Sequence, residues 1–182
     1  MNKITDNLLK TIFSIVFFCL SYTSFSQGFS QEQKDSILNA YVTLPNSDIR
    51  MVPPAFFKPF INDGKFGFMH EGAGASISIQ EVKGTPYPIV VQNMTEEYLE
   101  TQGVKLIKKD IGQTKQKKDA VIYLVSFTVK SKDGSKELEY ERLMLFTGDY
   151  NRTIWISANY PVVARKMLFN PLRESLLSVQ FD

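Results

Sequence analysis

Ala120-Val121-Ile122-Tyr123-Leu124-Val125-Ser126-Phe127-Thr128-Val129 is the stretch that decides the fold class. From Val121 to Val125 the apolar residues do not alternate. An extended chain of that composition is apolar on both faces, as a central strand covered on each side must be. Beyond it, Lys132-Asp133-Gly134-Ser135 is a hairpin turn of the aspartate-glycine type. Glu137 to Phe146 then forms the partner strand, with Leu138, Tyr140, Met144 and Phe146 inward and Glu137, Glu139 and Glu141 on an exposed face. Gly148-Asp149-Tyr150-Asn151 turns the chain into Thr153 to Asn159, where Ile154, Ile156 and Ala158 alternate against Trp155 and Ser157. On the N-terminal side, Val104 to Ile111 is a further strand.

Other elements extend this meander in both directions. Asp48 to Val52 is a short extended piece stopped by Pro53-Pro54. Asn62-Asp63-Gly64 is a turn. Lys65 to Glu71, with Phe66 and Phe68 alternating, and Ala75 to Val82 are half-buried strands separated by Gly72-Ala73-Gly74. Gly84 to Pro88 is a turn-rich connection. A helix starts near Thr95, whose hydroxyl can cap Glu97 or Tyr98, and stops at Gly103. Pro161 opens a terminal helix that Asn170-Pro171 breaks or kinks, Leu172 to Leu177 resumes it, and Val179-Gln180-Phe181 ends the chain extended. The fold class expected is α+β, a largely antiparallel sheet packed with helices.

The N-terminus has a different character. Lys3 and Lys10 precede the apolar run Thr11 to Leu20, which is about half the length of a membrane span. Ser24 and Ser26 follow in small-x-small spacing. This is the three-part layout of a secretory signal peptide over residues 1–26, cleaved near Ser26-Gln27, and it predicts a secreted or periplasmic protein. Residues 27–47 are read as an N-terminal helix, Ser30 to Tyr41, and a linker, and residues 48–182 as a single domain. The 182-residue chain is 43% hydrophobic and 22% charged with a net charge of +2, a globular composition. Its lone Cys19 falls in the leader and rules out a disulfide framework or a cysteine-rich metal site. The lone His70 rules out multi-histidine zinc sites, and the near-neutral charge gives no support to nucleic-acid binding.

The run of strands, then Ile154-Trp155-Ile156-Ser157-Ala158, Tyr160-Pro161, a helix and the closing Leu176-Leu177-Ser178-Val179-Gln180-Phe181, resembles the PsbP-like family over roughly Asp48 to Phe181. That family groups the extrinsic photosystem protein with the yeast Ran-release factor and many exported bacterial proteins. The resemblance implies a PsbP-like α/β/α sandwich. It also implies binding or accessory roles without a shared catalytic constellation, and it transfers no site residue.

Candidate chemistry is sparse. His70-Glu71 offers a histidine beside a carboxylate, but adjacent strand residues face opposite ways. No G-x-S-x-G occurs, and Glu96-Glu97 suits a helix start. Phe56, Phe57 and Phe60, together with Phe66, are dense around prolines and could line an apolar pocket or a partner patch. Lys108 and Lys109 belong to a basic stretch that either meets an anionic partner or guards a strand edge. The sequence therefore points to an exported, non-catalytic binding or accessory protein of the cell envelope, with no cofactor and with an envelope protein as partner. The alternatives are a carrier of a small apolar ligand and a hydrolase with a dispersed carboxylate site.

Overall fold

Alternating and doubly apolar strands need two cover layers, and the chain supplies both. The computed structural model describes residues 40–62, 65–131 and 136–182. The expected leader, the helix from Ser30 as far as residue 39, and the turns at Asp63-Gly64 and Lys132 to Ser135 lie outside the described residues. Ala40 and Tyr41, the expected end of that helix, are not helical.

Two short strands, β1 (Val42–Thr43) and β2 (Arg50–Met51), pair antiparallel. Then come β3 (Lys58–Asn62), β4 (Lys65–His70), β5 (Ala75–Lys83), helices α1 (Tyr87–Asn93) and α2 (Glu96–Thr101), β6 (Lys105–Gln113), β7 (Asp119–Lys130), β8 (Glu137–Gly148), β9 (Arg152–Pro161) and helix α3 (Arg165–Leu177). The seven longer strands form one antiparallel sheet in the order β3-β4-β5-β9-β8-β7-β6. The expected α+β class and helix-covered antiparallel sheet are thus what the chain adopts.

One sheet face carries Ile77, Ile122, Leu143, Leu145 and Ile156, packed under Leu168, Leu172 and Leu176 of α3 and under Ile49 and Met51 of the N-terminal segment. Each such aliphatic side chain contributes about 1.5–3 kcal/mol of burial. The other face carries Val121, Tyr123, Met144, Phe146 and Trp155 against Met94 and Leu99 of the α1–α2 layer.

The closing Ser178-Val179-Gln180-Phe181 has a physical role at every position. Ser178 Oγ accepts from Val52 N at 2.8 Å and donates to the Ser175 carbonyl. Val179 and Phe181 are buried, and Gln180 bridges to Arg50 outside the core. Val42 to Leu44, which the sequence reading puts in the linker, pairs with β2 and buries Leu44.

Several details differ from expectation. β7 is buried on both faces but lies next to the edge strand β6, and β9 is the middle strand. Its two apolar faces reflect a cover layer on each side of the sheet. The helix α1 forms although its first turn holds Pro88, because a first-turn proline gives up only a donor that had no helical partner. Pro161 ends β9 and precedes a 3-10 turn at Val162–Ala164, so α3 begins at Arg165. Asn170-Pro171 does not break α3. Pro171 lies on its exposed side, where water can satisfy the carbonyl that loses its amide partner. On β8 the inward and outward sets are not as read: Leu138 is exposed and Glu141 is buried.

Candidate functional site

The sequence-predicted residues land on opposite edges of the sheet. Phe56, Phe57, Phe60, Phe66 and His70 lie on or beside β3 and β4, and Lys108 and Lys109 lie on β6. Four strands separate β4 from β6, roughly 24 Å at the usual strand spacing. The structure does not bring these two groups together.

The aromatic group is itself divided. Phe57 is in the core on the α3 face, and Phe66 packs against that core with its ring 5.2 Å from Phe68. Phe60 pairs with Gly67 and so belongs to the other face, where its ring lies over that glycine. Phe56 is exposed, with φ 68°. His70 Nδ1 accepts from Ala73 N at 3.3 Å, capping the turn at Glu71–Ala73, and its ring meets Phe57 edge-on. On β6, Lys108 pairs with Asp110 at 2.8 Å and Lys109 lies over the Tyr123 ring.

Two charged clusters act as clasps. Arg152 donates to Asp48 at 2.7 and 2.8 Å, to Glu81 at 2.9 Å and to the Asp182 carbonyl, beneath an open cleft of about 400 Å3. The bond from Arg152 holds the Asp48 carboxyl down to about 2, against the opposing effect of burial. This knot ties the N-terminal segment, β5, β9 and the C-terminus. The second cluster is buried under the start of α3. Glu141 accepts from Tyr160 Oη at 2.6 Å and pairs with Arg165. Burial, reinforced by the bond to Glu141, pushes the Tyr160 phenol well above its usual range.

The α1–α2 face offers a different environment further along the same strands. Strand register places Val125, Arg142, Asn159, Ser76 and Met69 side by side across β7, β8, β9, β5 and β4. The neighbouring row runs through Met144, Ser157, Ser78 and Gly67. Arg142 is only 6% exposed. Its Nε donates to Asn159 Oδ1 at 2.6 Å, and its guanidinium carbon lies 4.9 Å from the Phe127 ring centre. Burial lowers its pKa to about 10, so it remains charged at neutral pH. Among the described residues no carboxylate pairs with it.

Sequence reasoning missed Arg142, Asn159 and Phe127 as a group. One signal was present: Arg142 occupies the same strand phase as Tyr140, Met144 and Phe146, a charge in an inward series.

These features define an α+β sandwich of the PsbP/Mog1 fold group. By sequence, the chain matches no family model and no curated protein. Among solved structures it is similar to LpqN of Mycobacterium tuberculosis, described as involved in cell envelope biogenesis (13% identity, TM-score 0.53, 78% of this chain and 88% of that one). It is also similar to the cyanobacterial PsbP of Synechocystis (10% identity, TM-score 0.50, 79% and 92%). A Bacteroides thetaiotaomicron structure is similar at 17% identity and TM-score 0.53 over 80% of this chain, which spans about half (49%) of that protein. At these identities the likeness establishes the fold.

Proposed function

We propose that the protein is an exported, non-catalytic binding or accessory protein of the cell envelope. The observation that carries this reading is the commitment of its reactive side chains to the scaffold. His70 caps a turn, Glu141 is closed between Tyr160 and Arg165, and Arg152 is neutralised by Asp48 and Glu81. A general acid or base needs a proton site facing substrate, whereas Glu141 and the Nδ1 of His70 are engaged by neighbouring groups of the fold. The leader layout of residues 1–26 supports export. The fold shared with LpqN, itself described as an envelope-biogenesis protein, supports an envelope setting. Among the described residues no helix is long and apolar enough to cross a membrane. The apolar-carrier reading draws no support from Phe57 and Phe66, because Phe57 fills the core and Phe66 packs against it.

The test is fractionation of cells expressing the full coding sequence, followed by in-cell crosslinking and identification of the adducts. The expected result is recovery from the envelope or medium, cross-linked to one reproducible envelope component. Recovery from the cytosol alone would count against the proposal.

A further inference from the structure

Buried charges in proteins are normally paired, because removing an ion from water costs several kcal/mol that only a counter-charge or good hydrogen bonds return. Arg142 departs from this pattern. It is 94% buried, and its Nε–Asn159 bond and the Phe127 ring beneath it hold the guanidinium in place. Among the described residues neither Nη group has a hydrogen-bond partner, and neither is fully sealed from solvent. The open end of a guanidinium fork is shaped for a bidentate oxyanion. Next to the fork, Ser76, Ser78 and Ser157 carry small side chains, bordered by Met69 and by the Phe60 ring over Gly67, so the approach to the fork is along the serines.

We infer that Arg142 is the anchor of a binding site for a single carboxylate on this sheet face, with Asn159 and Phe127 as its positioning residues. A lone guanidinium with no second cation beside it favours a singly charged carboxylate over doubly charged phosphate. One guanidinium matches one negative charge, and the strand lysines on this face stand apart, Lys109 at the Tyr123 ring, Lys58 at the far edge strand β3 and Lys65 at the start of β4. The inference goes beyond an accessory role by assigning the chemistry of one ligand group. It holds wherever in the cell the protein works, so its failure and that of the export reading are separable.

The test is an NMR titration of 15N-labelled protein expressed from the full coding sequence, with sodium acetate, D-glucuronate, inorganic phosphate and neutral D-glucose as probes. The expected result is saturable movement of the Asn159 side-chain amide and of the amides around Arg142 and Ser76 with acetate or glucuronate, and none with glucose. Arg142→Lys keeps the charge but loses the fork, and should weaken carboxylate binding at least about tenfold. Arg142→Met should abolish it while unfolding within about 8 °C of wild type, since it removes an uncompensated buried charge. Three results would overturn the inference: no saturable shift with either carboxylate, preferential binding of phosphate, or equal binding by Arg142→Lys. Unfolding of Arg142→Met far below wild type would instead identify the arginine as part of the scaffold.

Discussion

The pair Glu141–Arg165 makes an asymmetric prediction. The Glu141 side chain is 4% exposed and that of Arg165 is 44% exposed. Removing Arg165 leaves a buried carboxylate whose one remaining donor among the described residues is the Tyr160 hydroxyl, whereas removing the charge of Glu141 leaves an arginine that water can solvate. Arg165→Met keeps an unbranched apolar stem but removes the guanidinium that lies over the Phe169 ring, and should cost about 3 kcal/mol, chiefly the penalty for an uncompensated buried charge. Glu141→Gln keeps an acceptor for Tyr160 and loses one charge-assisted bond, about 1–2 kcal/mol. The double variant should cost about as much as Glu141→Gln alone, because the buried charge is gone. Equilibrium urea unfolding at neutral pH, followed by circular dichroism, separates these values. In thermal melts each 1 kcal/mol moves the midpoint by about 2–4 °C for a chain of this size. If Arg165→Met proved milder than Glu141→Gln, the buried-charge reasoning would be refuted.

Three further outcomes follow from the same contacts. A Cβ on Gly67 would lie 2.1 Å from the Ile77 carbonyl oxygen and 2.8 Å from the Phe60 ring, so Gly67→Ala should destabilise by several kcal/mol and loosen amide protection on β4 and β5 in hydrogen exchange. Asp48 titrates lower in the folded chain than in the unfolded one, so its stabilisation is present above its ordinary value of 3.8 and disappears as pH falls through about 2. Asp48→Asn should flatten that acid limb by about 1 kcal/mol, less than the shift alone implies because the side chain is 37% exposed and screened. Tyr160 binds its proton more tightly when folded, so stability holds below pH 10 and declines above it as the unfolded phenol ionises. Tyr160→Phe should remove that part of the alkaline decline in a pH series of melts.

The parts of the fold legible in sequence are those with local signals. Thr95 caps Tyr98 N at 3.1 Å and Gly103 takes φ 72°, as the residue types foretell. The doubly apolar run of β7 reports two cover layers, but the same pattern fits any strand covered on both sides, so its place beside the edge was not readable. The strand β3 was hidden by Pro59, which a strand tolerates only at an edge, and β3 is an edge. The helix α1 was hidden by Pro86, Pro88 and the β-branched Ile89-Val90-Val91, all of which read as extended. Glu141 was misplaced because its burial depends on Arg165, 24 residues later, and on Tyr160 of the neighbouring strand. The surroundings of Arg142 are non-local in the same way, supplied by β7 and β9. Its strand phase was the local trace.

Export is read out by intact-mass spectrometry of the protein recovered from expressing cells. An exported protein is recovered from the envelope or the medium as a chain that begins at Gln27. A chain still carrying residues 1–26 and confined to the cytosol would contradict export.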